Sequence, residues 1–316
     1  MKILITGSAG FIGAHLTEFF LKEGHHVVGL DNFITGARNN TDKFSKYPSF
    51  NFIESDIADM KEDLRKKLEA QKFDEVYHLA CPTGVPNLIT LAEEMLLTNS
   101  LGTKNILDIA RKNNSKVIVA SSSEVYGDPL VFPQTEEYSG NVDPIGTRSP
   151  YEEGKRFGES LVSMYVRKYS LDARIVRIFN TYGPNMSLAD QRVVPKLINQ
   201  LNNNQPLTVH GNGSQKRTFC YITDLLDGVV LVMKQGTPGE VYNIGSEDEV
   251  EIYKLARTLI KISGLSSEII SEPRPSHDHQ ARMPNLTKIK KLGWQTKINL
   301  EEGLLLTLKQ SQPTEV

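Results

Sequence analysis

The chain alternates between short runs of consecutive apolar residues and longer stretches in which apolar residues recur every three or four positions. The runs at 2–6, 26–31, 51–55, 74–79, 116–121 and 173–179 are short, with apolar centres bounded by polar residues, and they predict strands of a sheet covered on both faces. Helical patterns at about 11–23, 61–70, 91–113 and 150–169 fall between them. Strands separated by helices need crossover connections, so the fold class is α/β, a doubly wound parallel sheet with helices on both faces. After Phe179 the rhythm breaks into shorter elements rich in Asn, Gly and Pro, the composition of a loop-built binding lobe. Glu240-Val241-Tyr242-Asn243-Ile244-Gly245 reads as a further strand returning to the main sheet. The predicted organisation is therefore residues 1–179, with the returning strand near 240–245, as one half. Residues 180–316 form mainly the other, a smaller and interleaved α/β half.

The first turn carries chemistry. The strand Met1–Thr6 runs into Gly7-Ser8-Ala9-Gly10-Phe11-Ile12-Gly13, a G-x-x-G-x-x-G spacing that opens a helix. In a Rossmann-type unit Gly7 permits the tight turn, Gly10 lets the backbone approach a pyrophosphate, and Gly13 lets helix and strand pack closely. The second strand ends in Asp31, roughly 20 residues on, where a carboxylate accepts hydrogen bonds from an adenosine ribose and favours NAD over its 2′-phosphorylated form. Arg38 is the nearby group that a 2′-phosphate would seek.

A second constellation follows. Tyr151 and Lys155 lie four residues apart on one helix face. An ammonium beside a phenol favours the phenolate, which makes the tyrosine a base near neutral pH. A serine hydroxyl at the end of the strand 116–121 can hold the alcohol that this base deprotonates.

Charge and composition narrow the setting. The formal net charge of -2 over 316 residues gives no general attraction to nucleic acid or acidic membranes. No apolar run approaches a membrane span, and the first strand begins at Met1, so neither an anchor nor a signal peptide is expected. Cys81 and Cys220 are far apart, which predicts reduced thiols in a cytoplasmic protein. No metal is expected: the seven histidines form no ligand set, and His277-x-His279 reads as a solvated loop pair.

Further motifs extend along the chain: Asp31-Asn32-Phe33-Ile34-Thr35-Gly36, His78-Leu79-Ala80-Cys81-Pro82, Ser122-Ser123-Glu124-Val125-Tyr126-Gly127-Asp128-Pro129, and Asp143-Pro144-Ile145-Gly146 ahead of Tyr151. Later come Arg177-Ile178-Phe179-Asn180-Thr181-Tyr182-Gly183-Pro184, Arg192-Val193-Val194, Gly211–Arg217 and Gly293-Trp294. On these segments the chain resembles, from end to end, the extended short-chain dehydrogenase/reductase family of nucleotide-sugar enzymes, and within it the UDP-glucuronate decarboxylase branch.

The resemblance implies an NAD cofactor held by Gly7, Gly10, Phe11, Ile12, Gly13, Asp31 and Asn32, by Asp56 and Ile57, by Leu79 and Ala80, and by Asn99, Tyr151 and Lys155. It implies a UDP-sugar substrate contacted by Pro82, Asn180, Arg192, Val193, His210, Arg217 and Arg282. Tyr151 takes the 4-hydroxyl proton, Ser122 holds that oxygen, and Lys155 binds the nicotinamide ribose. Oxidation at C4 then makes the C5 carboxylate of UDP-glucuronate that of a β-keto acid, which loses carbon dioxide. Related 4,6-dehydratases place an Asp-Glu pair where this chain has Ser123-Glu124, and Ser123 is too weak an acid to expel a hydroxyl. Epimerases generally do without the glutamate. The pair therefore favours decarboxylation, with Glu124 organising reprotonation of C5, over the alternatives of a UDP- or dTDP-sugar dehydratase or a 4-epimerase. A non-catalytic NAD-binding protein on this fold would have a broken Ser/Tyr/Lys set, and here the set is intact. Arg217 and Arg282 match diphosphate-gripping positions, and Arg217 carries an acid role in some decarboxylases of the family. The chain departs from the branch in having His210 for a tyrosine near the base, Ser122 for a threonine, and a different loop at Pro82–Asn87. The resemblance also implies a homodimer in which the helices near 91–113 and 150–169 pair with their copies as a four-helix bundle, with Met95, Leu96, Leu161 and Met164 as candidate outward residues.

Overall fold

A computed structural model describes residues 1–187, 190–274 and 282–311. Its centre is a seven-stranded parallel sheet made of β1 (Lys2–Thr6), β2 (His26–Asp31), β3 (Phe50–Glu54), β4 (Glu75–His78), β5 (Lys116–Ser122), β6 (Ala173–Ile178) and β7 (Val241–Ile244). The order across the sheet is β7-β6-β5-β4-β1-β2-β3, so the chain reverses direction between β1 and β4. In open α/β sheets that switch point is where the carboxyl ends of the strands leave a ligand crevice. Gly7 to Gly13 and Leu79–Ala80 follow the two strands that flank it. The returning strand pairs in parallel with β6, Val241 opposite Ile175 through Ile244 opposite Ile178, which completes the sheet with a segment from late in the chain.

The runs inside the sheet are buried, whereas β3, at its edge, has only half-buried and exposed residues. Ile3, Leu4, Ile5, Val76, Val117 and Ile118 are wholly inaccessible. One cluster on one face of the sheet joins Phe20, Tyr77 and Val176 to Leu197, Leu207, Leu225, Leu255 and Trp294 from the later half; a second packs Leu68, Ile106, Leu107 and Val162 against the other face. Burial of this kind stabilises by about 25 cal/mol for each Å² of apolar surface removed from water. Smaller two-stranded pairs build the later half: Thr181–Tyr182 with Cys220–Tyr221, Lys216–Thr218 with Glu249–Glu251, and Leu207–His210 with Ile269–Glu272.

Two expectations change. The segment 91–113 is not one regular helix: Ala92–Leu97 and Thr103–Asn113 are α-helical, and Thr98–Gly102 between them is a π-helical turn. The distortion has a tertiary setting, because a Cβ on Gly102 would lie 2.8 Å from Ile57, and the wider turn carries Asn99. Of the proposed outward residues, Met95 is fully buried, and Leu161 and Met164 pack in part on the second core cluster. Leu96, Leu97, Leu101, Phe157 and Tyr169 are the exposed large apolar residues of these helices. Among the described residues no helix is long and apolar enough to cross a membrane.

Candidate active site

The cofactor end of the crevice is shaped by backbone. Gly7 has φ +74°, and a Cβ there would come within 2.8 Å of the Ala80 nitrogen; one on Gly13 would meet the Gly7 oxygen at 2.0 Å. Side chains at either position would push strand and helix apart, so the glycines fix how closely the helix Phe11–Lys22 approaches the switch point. Gly10 is the N-cap of that helix and Phe11 and Ile12 open its first turn, partly buried on the core. Unsatisfied amides at such a helix start suit a phosphate group, and the cradle fits a pyrophosphate. Asp31 ends β2, with Oδ2 accepting from the Ala9 amide at 2.9 Å and Oδ1 from the Phe33 amide at 2.8 Å. Burial raises its acid above the ordinary value, and these backbone donors offset part of the rise. Asn32 donates to Asp56 at 2.9 Å, Asp56 accepts from the Ala58 amide at 2.7 Å, and Ile57 is buried between them and Gly102. Arg38 forks onto Glu54 at 3.0 and 3.1 Å, so a neighbouring carboxylate already holds the guanidinium that a 2′-phosphate would need.

The reactive end lies where β5 stops. Ser122 caps the turn Ser123–Tyr126, its hydroxyl accepting from the Glu124 amide at 3.3 Å, and it is also hydrogen-bonded to the Tyr151 phenol. Ser123 is buried in that turn. Tyr151 and Lys155 come from the first turns of the helix Ser149–Tyr169. The Lys155 ammonium donates to the Ala120 carbonyl at 2.8 Å and stands 5.9 Å from the Tyr151 ring centre. Burial is the largest influence on the phenol and raises it above its ordinary value, with Ser122 opposing. The expected lowering of Tyr151 by Lys155 is thus not what the protein alone displays, since the ammonium is turned onto backbone. Asn99 donates to the Met95 carbonyl at 2.8 Å and to the Cys81 sulfur at 3.2 Å, and packs against Gly154, where a Cβ would approach its amide to 3.2 Å.

Glu124 is gripped by two guanidinium groups. Arg282 pairs with both carboxylate oxygens, one of them at 2.8 Å, and Arg148 pairs with Oε2. Burial would raise the Glu124 acid, but the two cations outweigh it and hold the carboxyl well below the usual range. Arg148 also donates from Nε to Glu152 at 3.0 Å. Among the described residues the buried Nε of Arg282 has no hydrogen-bond partner. Arg282 is positioned from behind: Gln134 accepts from the Met283 amide at 2.8 Å and donates its own amide to the Met283 carbonyl at 2.9 Å, and Asn243 of β7 donates to the Gln134 carbonyl at 3.0 Å. Tyr126, in the same turn as Glu124, donates to Asn243 at 2.8 Å.

The remaining candidates are dispersed. Pro82 is buried beside Cys81; Asn180 donates to the Thr218 carbonyl at 3.2 Å. Arg192 caps the helix Val193–Asn202 and forks onto Asp190 at 2.8 Å, with a favourable charge effect on the Tyr151 phenolate. His210 ends the strand Leu207–His210, and Arg217 sits on Lys216–Thr218 opposite Val250, with Nη1 donating to the Lys216 carbonyl at 2.8 Å. The structure brings Ser122, Glu124, Tyr151 and Lys155 to the end of β5 and pairs Glu124 with Arg282, which the sequence reading expected at the diphosphate; that reading missed this pairing and Arg148, although the spacing of Arg148 to Glu152 is that of a helical ion pair. Among the described residues no group of three or more His, Cys, Asp or Glu is placed to hold a metal ion; His277 and His279 lie outside them.

The chain is similar to known proteins over nearly its whole length. The chain is 40% identical to UDP-glucuronic acid decarboxylase 1 of Xenopus tropicalis over 308 residues, which is 97% of this chain and 71% of that protein. Its fold is similar to that of UDP-glucose 4-epimerase from Thermotoga maritima, solved with UDP-glucose, with a TM-score of 0.90 at 28% identity and 98% of each chain covered. It is also similar to UDP-glucuronic acid 4-epimerase from Bacillus cereus, solved with UDP-glucuronic acid and NAD, with a TM-score of 0.87 at 32% identity over 98% of each chain. The model of the NAD dependent epimerase/dehydratase family matches residues 3–245, through the glycine turn, the Ser/Tyr/Lys set and the returning strand, and the chain belongs to that family.

Proposed function

We propose that this protein is an NAD-dependent UDP-glucuronate decarboxylase, releasing carbon dioxide and UDP-xylose. The observation that carries the reading is the 40% identity, over 97% of the chain, to a UDP-glucuronic acid decarboxylase. The Glu124–Arg282 pair beside Tyr151 fits it, because this arrangement supplies a carboxylate and a guanidinium but no second acid to expel a hydroxyl.

NAD, when bound, supplies the reversible oxidation at C4 of the sugar. On our reading the Gly7–Gly13 turn holds its pyrophosphate and Asp31 and Asn32 face its adenosine ribose, with Asp56, Ile57, Leu79, Ala80 and Asn99 completing the wall. Tyr151 Oη takes the proton of the 4-hydroxyl, and Ser122 Oγ holds the same oxygen. Lys155 turns from the Ala120 carbonyl toward the ribose and stabilises the phenolate. Once C4 is a ketone, the electrons released with carbon dioxide pass to its oxygen, where Tyr151 and Ser122 donate hydrogen bonds. Glu124 orders the group that returns a proton to C5. Arg217 and Arg192 serve the diphosphate, Arg282, bonded to Glu124 beside Tyr151, serves the sugar carboxylate, and Pro82, Asn180, Val193 and His210 shape the sugar and base sites. In this division residues 1–179 are mainly the cofactor half and 180–316 mainly the substrate half.

A panel of nucleotide sugars tests the reading. UDP-glucuronate should yield a UDP-pentose without net NADH, while UDP-glucose and UDP-galactose should not interconvert. Conversion of UDP-glucose to a keto-deoxy sugar with UDP-glucuronate untouched would restore the dehydratase alternative.

The exposed Leu96, Leu97, Leu101 and Phe157 support a homodimer built on these helices as a four-helix bundle. Light scattering at micromolar concentration should give twice the chain mass; a strictly monomeric mass would sink the dimer. The free thiols Cys81 and Cys220 fit a cytoplasmic location, which recovery with membranes after cell fractionation would overturn.

A further inference from the structure

Glu124 presents an electrostatic difficulty for the proposed substrate. UDP-glucuronate brings a sugar carboxylate into a site that already contains a buried one. The Arg282 donor that would meet it belongs to the guanidinium that neutralises Glu124. If Arg282 turns to the incoming anion, Glu124 needs another cation, because an uncompensated buried charge costs several kcal/mol. Arg148 is that cation. It bonds Glu124 through Nη2 while its Nε donates to Glu152 at 3.0 Å. Its side chain is 21% exposed, and that of Glu152 only 4%. A planar fork spans two carboxylates in this way, whereas a lysine concentrates its charge on one atom. Glu152 adjoins Tyr151 in the same helical turn, so Arg148 fastens Glu124 to the segment that carries the base.

We propose that Arg148 is a positioning residue that retains Glu124 while Arg282 is given over to a carboxylate-bearing nucleotide sugar, and so sets the preference for an acidic sugar. The inference rests on the decarboxylase reading. It predicts an effect on affinity that depends on the sugar carboxylate, which a purely structural residue would not produce.

The test measures binding of UDP-glucuronate and of UDP-xylose, which lacks the carboxylate, by calorimetry on the NAD-loaded protein in a Tyr151→Phe background that stops turnover. Arg148→Met should lower the ratio of the two affinities by about tenfold or more, with UDP-xylose binding little changed. Adding Glu124→Gln should restore the ratio, since the repelling charge is gone. Should Arg148→Met not fold, Arg148→Lys makes the same comparison and should lower the ratio severalfold. Parallel losses for both ligands, an unmoved ratio, or no restoration by Glu124→Gln overturns the role of Arg148. A parent protein that does not convert UDP-glucuronate at all contradicts the underlying function instead, so the two failures are separable.

Discussion

Replacing Tyr151 by phenylalanine should lower turnover of UDP-glucuronate by about 10²–10⁴-fold, the range for loss of a positioned acid–base group, while the fold and the affinity for NAD remain near the parent's. Only the phenolic oxygen is lost, and the ring keeps its place in the first turn of the helix Ser149–Tyr169. The phenol's own titration adds a direction. Burial raises it above the ordinary value, so the deprotonated base is scarce at neutral pH and grows as pH rises. The activity of the parent should therefore climb from neutral to mildly alkaline pH, and the residual activity of Tyr151→Phe should lose that climb. Rapid mixing with substrate should show no early NADH absorbance in the variant. Appreciable NADH formation would remove Tyr151 from the role of base.

Arg282→Ala should have the second largest effect. Loss of charge-assisted hydrogen bonds to a nucleotide sugar costs about 1.5–3 kcal/mol in binding. Here the same change also takes one of two cations from Glu124, so kcat should fall as well as affinity. Arg217→Ala should weaken binding over the same range with a smaller effect on kcat, because the strand Lys216–Thr218 places it on a separate two-stranded ribbon while Arg282 is bonded to Glu124. Steady-state kinetics of the two variants checks the order. A greater loss of kcat in Arg217→Ala would return the acid role to Arg217.

Much of this was legible in the sequence because parallel strands buried on both faces leave continuous apolar runs. The runs at 2–6 and 26–31 coincide with β1 and β2, and even the late strand beside β6 announced itself as Val241-Tyr242-Asn243-Ile244. Gly7 and Gly13 were readable for a related reason: their spacing is dictated by one local turn against one neighbouring strand. What escaped depends on partners remote in sequence. The π-helical turn at Thr98–Gly102 is invisible to a periodicity that continues across it, and its packing partner Ile57 comes from another connection. The grip on Glu124 joins residues 158 positions apart, and nothing in the spacing of Arg148, at the start of its helix, points to Glu124. Lys155 was correctly placed near Tyr151, but its bond to the Ala120 carbonyl, and with it the raised phenol, follows from burial that no spacing encodes.

The most direct test of decarboxylation is the fate of C5 in heavy water. Loss of carbon dioxide leaves an enol carbon that must take its proton from solvent or from an exchangeable group, so UDP-glucuronate should give UDP-xylose with one deuterium at C5 and one carbon fewer than the substrate. Mass spectrometry and proton magnetic resonance of the product read both features together. A product that retains all six sugar carbons, whether a 4-epimer without label at C5 or a keto-deoxy sugar, would contradict the account.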